Sequence, residues 1–128
     1  MQAREFLPFI QTAFNGMLGI AAELGDPLVN ANPDLEGANS AYAIVTHCIG
    51  VTDWWVGLHI AGRPVARDRD AEFAAAGSVA DLQEAVSASL DRFKADLAEM
   101  DPGSLVRHPE RLPENSPART WTQDAALI

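Results

Sequence analysis

Asn39-Ser40-Ala41-Tyr42-Ala43-Ile44-Val45-Thr46-His47-Cys48-Ile49-Gly50-Val51-Thr52-Asp53-Trp54-Trp55-Val56-Gly57-Leu58, running on to Ala61-Gly62, reads as one helix. Ser40 is placed to cap its start, and Gly62 to end it in the left-handed conformation. Ile44, Cys48, Val51, Trp55 and Leu58 recur at steps of four, three, four and three, which draws one apolar stripe. At about 100° per residue, His47 and Trp54 fall on the flank of that stripe, and Asp53 points to its far side. The helix therefore turns its most chemically able side chain, His47, inward.

The rest of the 128-residue chain reads outward from this helix as one all-α domain, 1–128, large enough to bury about two-thirds of its unfolded surface. The formal net charge of −9 speaks against a nucleic-acid partner, because a phosphate backbone calls for a basic face. No run approaches the ~20 apolar residues of a membrane span. The N-terminus, with Arg4 and Glu5, enters an amphipathic pattern rather than a secretory leader, so a cytoplasmic location is expected. Cys48 is the sole cysteine, which excludes an intrachain disulfide; a small core residue and a reactive thiol are its two readings.

Before the central helix, Leu7, Ile10, Phe14, Met17, Ala21 and Leu24 form an a/d seam that predicts a helix over about 5–24. Pro8 fits its first turn, and Gly25-Asp26-Pro27 ends it. A polar loop over 25–39 follows. After the central helix, Ser78-Val79-Ala80-Asp81 has the form of a capping box with Asp replacing Glu. It opens a helix to about Met100 whose inward face is Leu82, Val86, Ser89, Phe93, Leu97 and Met100. Prolines 109, 113 and 117 exclude a long helix or central strand over 104–120. Thr122 and Asp124 then begin a fourth helix that has only about one and a half turns before Ile128. Three long amphipathic helices leave a groove that a fourth normally fills, so the expectation is a bundle whose last helix is missing or truncated. The alternative is a three-helix domain with a short ordered tail.

Between these helices lies Arg63-Pro64-Val65-Ala66-Arg67-Asp68-Arg69-Asp70-Ala71-Glu72-Phe73. Its alternating charges read either as a solvated loop with weak ion pairs or as a pocket rim offering guanidinium groups to an anion. Phe73 is expected to enter the core.

The His47 helix, with Ala61-Gly62-Arg63 and Arg67-Asp68-Arg69-Asp70-Ala71-Glu72-Phe73, resembles the DinB-like superfamily, and more narrowly the actinobacterial branch near the N-terminal domain of mycothiol-dependent maleylpyruvate isomerase. The resemblance covers roughly residues 5 to 128. It implies an up-and-down four-helix bundle holding a divalent metal, zinc or nickel, through three residues. One of these is a histidine of the second helix, which His47 matches; the other two belong on the last helix, beyond Ile128. His59 lies 120° around the helix from His47, His108 sits in the proline-rich loop, and Cys48 points about 100° away, so this chain is not expected to complete the site.

Two functions are then in view. One is a metal-dependent transferase or isomerase acting on a small thiol of the mycothiol type, with His47 as ligand, Trp54 walling the pocket, and Arg63, Arg67 and Arg69 holding a substrate carboxylate. The other is a non-catalytic helical module, metal-free as given, that binds a small molecule or forms a homodimer. For His47 alone, a core histidine bonded to a backbone carbonyl is the alternative to a ligand.

Overall fold

The computed structural model describes residues 5–128, and it is all-α, with no β-strand among the described residues and a single isolated bridge between Leu105 and Thr122. Arg4 lies outside the described residues. Helix α1 spans Leu7–Val29, α2 Ala41–Thr52, α3 Arg69–Ala74, α4 Val79–Ala98 and α5 Gln123–Leu127. Residues Asp53–Ile60 continue α2 with π-helical hydrogen bonding, and short 3-10 turns occupy Pro109–Arg111 and Pro117–Thr120. None of the helices is long and apolar enough to cross a membrane.

Three long elements make the body: α1, α2 with its π-helical extension, and α4. Phe14, Ala21, Val29, Val45, Leu82 and Val86 pack together at one end. Val56, Ile60, Phe93 and Leu97 pack at the other, with Leu127 of α5 against them. The seam of α4 is buried at Leu82, Val86, Ser89, Phe93 and Leu97, while Met100 lies past the helix end against the second cluster. The capping box is formed: Ser78 accepts from the Asp81 N–H, and Asp81 accepts from the Ser78 N–H.

Two expectations need correction. Gly25-Asp26-Pro27 does not end α1 but kinks it. Gly25 takes a left-handed φ of 70°, and the chain resumes a turn that buries Val29. The kink gives the next residues a task. Asp26 Oδ1 accepts from the Val79 N–H at 2.8 Å, and the Asn30 amide pairs with both the N–H and the C=O of Gly77. The end of α1 thus caps the start of α4.

The second correction concerns the apolar stripe of the central helix. Ser40 caps it as expected, accepting from Ala43 N–H at 3.0 Å, and Gly62 closes it at φ 77°. Within it, however, Ile44 is 45% exposed, whereas Ala43 and Val45 are buried. The π-helical segment holds about one more residue per turn than an α-helix, so the 3.6-residue period fails after Thr52. All five residues from Val56 to Ile60 are buried as a result, His59 among them. Asp53 does not face solvent on a far side; it meets Arg92 of α4.

Residues 104–122 dock as a small third layer through Val106, Leu112 and Ala118, with Trp55 and Ala126 beside them.

Candidate functional site

Glu72 is the anchor of the site. It projects from α3, whose start is capped by Asp68, and its residue is only 8% exposed. A buried carboxylate needs partners. Arg67 provides two, Nε to Oε2 at 2.9 Å and Nη2 to Oε1 at 3.0 Å, and His47 Nδ1 donates to Oε1 at 3.0 Å. Arg67 Nη2 also passes 3.3 Å from Nδ1, two donors converging on one oxygen. Burial by itself would raise the Glu72 pKa, yet the hydrogen bonds and charges of Arg67 and His47 outweigh it and hold the group below the ordinary carboxylate value. Glu72 is therefore an ionised acceptor, so Nδ1 of His47 carries the proton of their hydrogen bond, and in the uncharged ring the lone pair is on Nε2.

The local sequence permits this approach at one point. A methyl group on Gly50 would overlap the Glu72 carboxylate, so only glycine lets α3 press against α2 here. Phe73 stacks on the His47 ring, with centroids 4.6 Å apart, rather than entering the core. An open cleft of about 320 Å³ adjoins the triad, lined by Thr46, Ile49, Gly50, Asp53, Arg67 and Glu72 among others.

A second ion cluster lies nearby. Arg63 holds Asp96 of α4 with Nε to Oδ1 at 3.1 Å and Nη2 to Oδ2 at 2.9 Å, and reaches Asp53 at 3.0 Å. Arg92 adds a two-pronged contact to the same Asp53. The Arg63 guanidinium lies over Gly57, where a Cβ would clash with it. Hydrogen bonding to Asp96 is the main reason its pKa rises. Arg63 thus ties the start of segment 63–73 to the π-helical extension and α4, and Glu72 ties its end to α2, while Pro64, Ala66 and residues 68–71 stay exposed.

The residues singled out in the sequence separate into three places. His47 and Arg67 meet at Glu72, a partner the sequence reading did not choose. Arg63 is engaged by Asp96 and Asp53. Arg69 is exposed, its guanidinium 5.7 Å from the centre of the Phe73 ring. Trp54 lies apart from this group, edge-on to His59 at 5.2 Å and under Arg111. Cys48 is half-buried beside the first core cluster, and burial raises its thiol pKa.

Sequence reading also missed His59. Its side chain is fully buried, Nδ1 donates to the Arg107 carbonyl at 2.8 Å, and Nε2 has no hydrogen-bond partner. It sits in the π-helical segment, where every residue from Val56 to Ile60 is buried.

A divalent metal fits the described residues in one ligand only. Among them no group of three His, Cys, Asp or Glu is placed to hold an ion. His59 is committed to Arg107, and His108 is exposed against Glu110 and the Gly62 carbonyl. No family model, curated protein or solved structure matches the chain.

Proposed function

We propose that this chain is a DinB-like helical module whose working atom is Nε2 of His47, a site for a divalent ion, zinc or nickel, whose other ligands come from outside the described residues. One observation carries this reading: the His47 Nδ1–Glu72 Oε1 hydrogen bond of 3.0 Å. A carboxylate on one imidazole nitrogen fixes the tautomer, aims the ring and raises the basicity of the other nitrogen, which is how proteins prepare a histidine for a metal. The His47 side chain keeps about one-quarter of its surface exposed, and Nε2 is the ring nitrogen that Glu72 does not engage. A bound divalent ion lowers the pKa of a thiol and holds it as thiolate, the chemistry of a thiol-dependent transferase or isomerase of the mycothiol type. This chain's own part is to orient Nε2, through Arg67, Glu72 and Phe73.

The test is calorimetric titration of zinc and nickel, with and without a small thiol, into the chain and its His47→Ala variant. Weak binding that the thiol tightens and His47→Ala abolishes supports the reading. Binding that survives His47→Ala, or no binding under either condition, overturns it.

A second reading, a non-catalytic module, is favoured by the ion pairs of Arg63 and Arg67. With Asp96, Asp53 and Glu72 engaging these guanidinium groups, Arg69 is the arginine of the segment left for a substrate carboxylate. No turnover of a carboxylate-bearing substrate by the metal-loaded chain with a small thiol present would favour this reading, and turnover that Arg69→Ala lowers would overturn it.

A further inference from the structure

A trough runs between α1 and α2, on a part of the surface that the proposed site does not use. Met17, Ile20, Ala41, Ile44 and Val45 line one end, a hollow of about 180 Å³. Leu24, Leu28, Pro33, Ala41 and Ile44, with the polar Asn32 and Asn39, line the other, about 400 Å³, and the shared Ala41 and Ile44 set the two side by side. Its apolar walls stand open: Ile20 is 60%, Leu28 55% and Ile44 45% exposed. Contiguous apolar surface of this kind marks an interaction site more often than scattered apolar residues do. About three turns of α1 border it, the dimensions of a seat for one helix.

Charge identifies the occupant. From residue 5 to residue 62 the chain contains Glu5, Glu23, Asp26, Asp34, Glu36 and Asp53 and no Lys or Arg; the first cation after Arg4 is Arg63. Glu23, Asp34 and Glu36 are exposed on the same elements that form its walls, Glu23 preceding Leu24 and Asp34 following Pro33 in the chain. We infer that this trough docks a cationic amphipathic helix from a partner protein, one with an apolar seam and Lys or Arg on its flanks. Like-on-like pairing through this face would bring two acidic rims together.

The probe is a fluorescent synthetic peptide of about 14 residues, with Leu at helical i, i+3, i+4 spacing and Lys on both flanks, titrated into the full chain by anisotropy. A twin peptide carries Glu at every Lys position. The Lys peptide is expected to bind at least about tenfold more tightly than its twin, with affinity falling as salt rises. The triple variant Glu23→Gln, Asp34→Asn, Glu36→Gln should narrow that preference to less than about threefold. Ile20→Ser with Ile44→Ser, both exposed and so compatible with folding, should abolish binding of the Lys peptide. Equal affinity for both peptides, no binding of either, or Lys-peptide binding indifferent to the serine variant overturns the inference. So does sedimentation that shows a dimer dissociated by Ile44→Ser, which would give the trough to a second copy.

Discussion

His59 and Arg107 hold each other by their backbones and by one side chain. The Arg107 N–H donates to the His59 carbonyl at 2.7 Å, and His59 Nδ1 returns a bond to the Arg107 carbonyl at 2.8 Å. This pair joins the proline-rich segment to the π-helical turn, with Trp54 and Trp55 against the imidazole. His59→Ala removes a buried ring and orphans the Arg107 carbonyl, so urea denaturation should show a loss of about 2–4 kcal/mol.

The same imidazole gives the protein an acid limb. Burial is the main cause that lowers the His59 pKa from its ordinary value, helped by His108 and Arg111, while the Arg107 carbonyl and Glu110 oppose it. The unfolded chain then binds its proton first as pH falls. Stability is full above about pH 6.5 and declines from there down to the folded value. Denaturation midpoints measured across that window should fall with pH in the native chain and flatten in His59→Gln.

Glu72 adds a second limb at lower pH. Its folded pKa lies below the ordinary carboxylate value, so its contribution is present above about pH 4.5 and is lost as pH drops through the folded value. Glu72→Gln leaves Arg67 without its charge partner and should cost about 2 kcal/mol at pH 7, less than for a fully buried pair because Arg67 keeps some solvent contact. In NMR the His47 Nδ1 proton should lose its carboxylate-bonded shift in the same variant.

Arg63 is not replaceable by lysine. Its fork satisfies both oxygens of the buried Asp96, which an ammonium cannot do. Arg63→Lys should lower stability by about 1–2 kcal/mol. Arg63→Met should cost more, and adding Asp96→Leu should recover part of that loss, as a double-mutant cycle by chemical denaturation would register.

His108 holds a left-handed backbone, φ 50°, at the start of a 3-10 turn. Asparagine accepts that conformation and valine does not. His108→Asn should leave the melting temperature nearly unchanged, whereas His108→Val should cost about 1–2 kcal/mol.

The helices of this fold are legible in sequence where local rules act alone. The α4 seam from Leu82 to Leu97, its capping box, the Ser40 cap and the Gly62 stop follow from periodicity and cap chemistry. What escapes is non-local. A period of 3.6 cannot foresee a π-helical segment, and it does not show that Val56 through Ile60 are all buried; nor does it show that Ile44, in the regular part of the helix, borders open space beside α1. The charges of 63–73 look the same in sequence whether water or Asp96 and Glu72 face them. His47 stands out in sequence as a chemically able side chain on an apolar helix, but its partner Glu72 sits 25 residues away and is brought there by tertiary folding.

The volume above Gly50, filled by the Glu72 carboxylate, has a bearing on how this protein can vary. Because a methyl at 50 and a carboxylate at 72 compete for one volume, neither position drifts independently of the other. Alanine at 50 would require the Glu72 carboxylate to move or residue 72 to shorten, and either change loosens its hold on Arg67 and His47. A substitution at 50 is therefore felt at His47 through residue 72, and the two positions are coupled, not additive.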